Sequence, residues 1–151
     1  MMNKEEKYQL LTEQIRALTQ GETDLVAKMA NVAAAIHEEM GFFWTGFYRV
    51  VGEELILGPF QGPVACMHIP FGRGVCGSAW KQRTTLVVPD VEKFPGHIAC
   101  SSLSRSEIVV PAFSPDGEIV AVLDIDSKEL GTFDEIDRQH LETISQLLFT
   151  S

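Results

Sequence analysis

Phe42-Phe43-Trp44-Thr45-Gly46-Phe47-Tyr48-Arg49-Val50-Val51, then Gly52-Glu53-Glu54, then Leu55-Ile56-Leu57-Gly58-Pro59-Phe60, is where the chain changes its period. The run to Val51 is dense in aromatic and β-branched residues and reads as a strand. Gly52-Glu53-Glu54 reads as a turn, and Glu54 to Phe60 as the return strand of a hairpin. Upstream the pattern is helical. Leu10, Leu11, Ile15 and Leu18 recur at helical spacing within residues 4–19, with Glu13, Gln14 and Arg16 between them. Thr23 or Asp24 can cap a second helix, whose apolar stripe is Leu25, Val26, Met29, Val32, Ala33 and Ile36, and Gly41 ends it. Downstream, Cys66 to Pro70 and Thr85 to Val88 read as short strands, and Gly72 to Lys81 as a loop opening a helix. Ile108–Phe113 and Ile119–Ile125 form a second hairpin turned by Ser114-Pro115-Asp116-Gly117. From Phe133 a last helix puts Ile136, His140, Leu141, Ile144, Leu147 and Leu148 inward. Helices at both ends of an antiparallel sheet make an α+β fold. With no linker and no repeat, one domain over residues 1–151 is expected.

The 151 residues carry 12 Lys plus Arg against 21 Asp plus Glu, a net charge of −9. That sign repels phosphate backbones, so nucleic acid is not an expected partner. No stretch approaches the ~18 apolar residues of a membrane span, so no membrane partner is expected. Met1 to Lys7 is charged and lacks the apolar core of a secretory signal, which makes the cytoplasm the expected compartment. Cys66, Cys76 and Cys100 are an odd count, which argues against a structural disulfide framework there. Buried thiols, a metal site and redox chemistry stay open.

Gly72-Arg73-Gly74-Val75-Cys76-Gly77 fits the G-x-G-x-x-G pattern. A dinucleotide site needs that loop inside a βαβ unit with an acid ~20 residues on. The preceding strand follows a hairpin, so a tight loop packing a helix start against the sheet is the better reading. Cys66, His68, Cys76, His97 and Cys100 are zinc-type donors, and alternation on a strand would put Cys66 and His68 on one face. Their spacing is not that of structural zinc sites, and no metal is expected. Residues 90–106 lack periodicity, and a loop of ~17 residues in a compact domain is often functional.

Asp124 and Asp126, in Val122-Leu123-Asp124-Ile125-Asp126, share one face of a strand. Two carboxylates on one face raise at least one pKa, which is how a fold holds a proton donor near neutral pH. The plainer reading is a strand end fraying into solvent. Glu107, starting the strand through Ile108, Val109 and Val110, reads by itself as a solvated terminus. Trp44 and Tyr48 share a face by period two and can wall a small pocket, although a strand aromatic is more often core.

Six segments together resemble the free methionine-(R)-sulfoxide reductases, which are stand-alone GAF domains. They are Gly46-Phe47-Tyr48, Leu57-Gly58-Pro59-Phe60-Gln61-Gly62, Ile69 to Gly77, Gly96-His97-Ile98-Ala99-Cys100, Ser106 to Pro111, and Val122 to Asp126. The likeness runs from about Leu10 to Leu148. The three cysteines, 10 and then 24 residues apart, fall inside its motifs. The resemblance implies a six-stranded antiparallel sheet flanked by helices, with a small closed pocket. It implies free methionine (R)-sulfoxide as substrate, Cys100 as nucleophile and Cys66 as resolving thiol. Glu107, Asp124 and Asp126 would hold the substrate and protonate its oxygen, and Trp44 and Tyr48 would wall its methyl end. Cys76 is open between a relay and an alternative disulfide. The chemistry needs no cofactor, only an external dithiol such as thioredoxin. The oligomeric state is open, a homodimer among the options. The rival class is a non-catalytic GAF module that binds a small ligand.

Overall fold

Asn3 opens the first helix. Its Oδ1 accepts from the Glu6 amide at 2.8 Å while its own amide donates to Glu6 Oε1 at 3.2 Å, a reciprocal cap. In the computed structural model, which describes residues 1–98 and 100–150, that helix is α1, Lys4–Thr19. Asp24 accepts from the Ala27 amide to start α2, Leu25–Met40. The hairpin that decided the class follows as β1, Trp44–Val51, and β2, Glu54–Gln61. Then come β3, His68–Pro70; α3, Gly74–Gln82; β4, Leu86–Val88; β5, Ser106–Phe113; β6, Ile119–Ser127; and α4, Glu135–Gln146. Short 3-10 turns occupy Val91–Lys93 and Leu147–Phe149.

The six strands form one sheet in the order β3-β2-β1-β6-β5-β4, antiparallel at every pairing. The α+β reading is correct. No helix among the described residues is long and apolar enough to cross a membrane.

Period-two alternation divides the sheet into two cores. Phe47, Ile108, Val110, Leu123 and Ile125 face α1, α2 and α4, packing on Leu11, Ile15, Met29, Ile36, Leu141 and Ile144. Trp44, Tyr48, Val109 and Val122 face the other way, onto Val75 and Ala79 of α3. Each large apolar side chain buried in this way contributes ~1.5–3 kcal/mol. β1 is buried on both faces from Trp44 to Tyr48, which explains why its sequence is apolar without clean alternation.

Several sequence expectations need correction. In α1, Leu10 and Leu18 are exposed (44% and 52%), and the inward stripe is Tyr8, Leu11, Thr12, Ile15 and Thr19. A polar anchor sets that rotation. Fully buried Asp137 accepts from Tyr8 Oη at 2.5 Å and from Lys4 Nζ at 2.7 Å, and Tyr8 stacks on His140. Hydrophobic periodicity does not register a tyrosine that faces inward to satisfy a buried acid. Val26 is likewise exposed. Cys66 lies in the loop before β3, not in a strand, so alternation does not relate it to His68. Asp126 lies inside β6, which continues to Ser127, so the strand does not fray at the acids.

Candidate active site

The site is written in the register of the three central strands. Trp44 of β1 pairs with Asp126 of β6, and Asp126 pairs with Glu107 of β5. The next row on the same face is Gly46, Asp124 and Val109, and the third holds Tyr48 and Val122. Two aromatics, two aspartates and a glutamate therefore share the face covered by α3. Because α1, α2 and α4 fill the opposite side, this side keeps a cavity of about 50 Å³. Its lining includes Trp44, Tyr48, Cys76, Cys100, Glu107, Asp124 and Asp126.

The aromatic wall is held by hydrogen bonds. Trp44 Nε1 donates to the Pro63 carbonyl at 2.9 Å, and Tyr48 Oη donates to the Cys66 carbonyl at 2.8 Å. The Trp44 ring stacks between Tyr48 and Phe60, at centroid distances of 5.9 and 5.2 Å. Tyr48 thus ties the wall to the loop that carries Cys66.

Cys66 and Cys100 are joined as a disulfide with Cα atoms 5.4 Å apart, and Cys76 is free and buried. The bond pins the loop after β2 to the loop before β5, and both loops line the cavity. It also takes two of the zinc-type donors out of play, and His68 sits at the surface against Glu54 at 3.1 Å. The glycine-rich segment is the tight helix start that the sequence suggested. Gly74 has φ +62°, and a Cβ on Gly77 would stand 2.7 Å from the Pro70 carbonyl oxygen.

Two of the acids are buried, beside the half-buried Asp126. Glu107 and Asp124 are only 6% and 5% exposed. Burial first, then the neighbouring Asp124 and Asp126, hold the Glu107 carboxyl well above its ordinary value. Burial and then Asp124 raise Asp126 well above its own. Burial raises Asp124 too. The Cys76 thiol is pushed up by burial and by the same acids, so it is a poor thiolate. A carboxyl held above its ordinary range keeps a proton to give.

The sequence matches the GAF domain family over residues 19–148. It is 58% identical to GAF domain-containing protein A of Dictyostelium discoideum, covering 97% of this chain and 92% of that protein. It is 45% identical to the free methionine-R-sulfoxide reductase of Escherichia coli K12, covering 97% of this chain and 89% of that protein. Among solved structures it is similar to the free methionine-R-sulfoxide reductase of Neisseria meningitidis in complex with its substrate. That match has a TM-score of 0.95 at 53% identity, covering 98% of this chain and 89% of that one. The chain belongs to the free methionine-R-sulfoxide reductase family of GAF domains.

Free methionine-R-sulfoxide reductases are oxidoreductases, and seven of the eight residues singled out in the sequence line this member's cavity. The eighth, Cys66, is bonded to Cys100. Sequence reasoning did not single out Arg73, Phe43, Pro63 or Val64, which also line it. Arg73 is the one arginine or lysine of the lining, and it forms no ion pair among the described residues. A charged residue lodged between two loop glycines was its only signal. His97 lines the cavity as well, and burial lowers its pKa.

Proposed function

We propose that this protein reduces free methionine (R)-sulfoxide to methionine by thiol chemistry. The observation that carries the reading is a cluster of three acids, Glu107 and Asp124 buried and Asp126 half-buried, in the same cavity as a disulfide-bonded cysteine and an aromatic wall.

In this reading the Cys100 thiolate attacks the sulfoxide sulfur, and the oxygen takes protons from the acid cluster. The protonated oxygen then passes to the Cys100 sulfur as the Cys100–substrate sulfur bond and the substrate sulfur–oxygen bond break, so methionine leaves and Cys100 becomes a sulfenic acid. The Cys66 thiol then condenses with it, expelling water and closing the disulfide. The Cys66–Cys100 pairing supports Cys66 as the resolving thiol. Raised carboxyl pKa values support Glu107, Asp124 and Asp126 as proton donors. An external dithiol of the thioredoxin class reopens the disulfide. The Trp44 and Tyr48 rings receive the apolar end of the substrate, and Arg73 its α-carboxylate.

The test is incubation of reduced protein with each epimer of free methionine sulfoxide, and with the R-epimer as its amide, scoring methionine released. The R-epimer is expected to turn over. The S-epimer would exchange oxygen and methyl, leaving buried acids unpaired at ~1–3 kcal/mol each, so it should be slower by tenfold or more. The amide has no carboxylate for Arg73 and should be poor. Equal rates on both epimers overturn the pocket assignment, and an equal rate on the amide overturns the role of Arg73. No release from either epimer leaves the non-catalytic ligand-binding reading.

A further inference from the structure

We propose that Cys76, Glu107 and Asp124 form a binding site for one thiophilic divalent cation of the zinc class, and that an ion held there excludes substrate from the cavity. Cys76 Sγ and the two carboxylate oxygens lie within 4.8 Å of one another, all on buried residues. Cys76 Sγ and Glu107 Oε2 are 3.9 Å apart. Tetrahedral ligands at zinc distances are separated by about 3.5 Å, so an ion draws these three inward by roughly an ångström or less. A sulfur donor with hard carboxylate oxygens suits zinc or cadmium better than magnesium or calcium, which take oxygen alone.

Independent of the cluster's composition, Asp124 Oδ1 is buried with no hydrogen-bond partner, on a residue 5% exposed that lines the cavity. An orphaned buried carboxylate oxygen is costly unless something binds it. No lysine, arginine or histidine among the described residues pairs with Glu107, Asp124 or Asp126. The cluster therefore lacks a cation of its own. The cavity, about 50 Å³, has room for an ion and a water, and Asp126 opposite Glu107 can supply a fourth oxygen. On binding, Cys76 and the two acids give their protons to solvent while the metal keeps its charge and oxidation state.

The inhibition rests on reading this cavity as the substrate site; the binding does not. In the disulfide-closed protein Cys76 is the one free thiol among the chain's three cysteines. A thiolate-to-cadmium charge-transfer band in that form therefore reports Cys76 alone. Cadmium ion added to full-length, disulfide-closed protein is expected to give this band at one equivalent. The cadmium NMR shift of the wild type should lie between the all-oxygen and the multi-thiolate ranges. Cys76→Ser should remove the band, Glu107→Gln should weaken binding at least about tenfold, and His68→Ala, at the exposed Glu54 pair, should change nothing. A wild-type protein with no band, an all-oxygen shift, or unchanged affinity in Glu107→Gln overturns the site. In single turnover by the reduced Cys66→Ser variant, which lacks the Cys66–Cys100 thiol pair, cadmium should block methionine release, a chelator should restore it, and adding Cys76→Ser should relieve the block; unblocked release, or an equal block without Cys76, overturns the exclusion. A band from protein that releases no methionine from either epimer would sink the functional reading and leave the metal site standing.

Discussion

Glu107 and Asp126 face each other across the β5–β6 pair, directly opposed in register and on the same side of the sheet. Like charges so placed destabilise a sheet. Here burial and mutual repulsion turn that conflict into retained protons, with the cost met by the two cores around it.

Replacing Cys100 by serine should reduce methionine release below about 1% of wild type, because the hydroxyl does not replace a thiolate nucleophile. The fold should survive, since Cys100 sits in a loop. Turnover with a small dithiol, alongside a thermal melt, checks this; near-normal turnover would move the nucleophile to Cys76.

Replacing Cys66 by serine should leave the first chemical step intact and remove its resolution. Without small thiols the reduced variant should release about one methionine per chain and stop. Sustained thioredoxin-coupled turnover would make Cys76 the resolving thiol despite its burial and raised pKa.

Asp126→Asn keeps the shape of the cavity wall and loses the acid proton. A fall in kcat/KM of about 10²–10⁴-fold is expected, the usual contribution of a positioned acid. Stability should hold or rise, because one of three crowded carboxyls is gone. Full activity in this variant removes Asp126 from the proton path.

The same acids make stability fall with rising pH. Their folded pKa values are raised, so above the ordinary values of 4.5 for Glu107 and 3.8 for Asp126 the unfolded chain loses protons that the native state keeps. Their stabilising contribution is complete below that range and is lost as pH climbs through the raised native values. Urea unfolding of wild type and Glu107→Gln across pH 4 to 8 should show the difference, wild type minus variant, declining with pH. A flat or rising difference contradicts proton retention at Glu107.

Gly46 is the close-approach glycine of β1. A Cβ there would stand 2.7 Å from Trp44 Cη2 and 2.9 Å from Phe60 Cα, where the β1–β2 register shifts. Gly46→Ala should cost about 1–3 kcal/mol and lower Tm by several degrees. By displacing Trp44 it should also raise KM more than it lowers kcat, which steady-state kinetics would show.

The class of the fold was legible in local pattern. Caps, turns and the switch from helical to strand period are short-range effects, and Asp24, Gly52 and Ser114 to Gly117 announce them in the sequence. Asp124 and Asp126 were on one face by alternation alone. Free-standing pattern reading nevertheless made Glu107 a solvated terminus and β6 a fraying strand; only the resemblance to a known family joined these acids to Cys100. The tertiary structure decided what no local period contains. The β5–β6 register sets Glu107 against Asp126, and the packing of α1, α2 and α4 on one face leaves the other for the cavity. The loops bring Cys66 to Cys100, thirty-four residues apart in the chain, and the Tyr8–Asp137 contact turns α1 so that Leu10 faces out. Burial does the rest: an acid's pKa is a property of its surroundings, and those are assembled from strands distant in sequence.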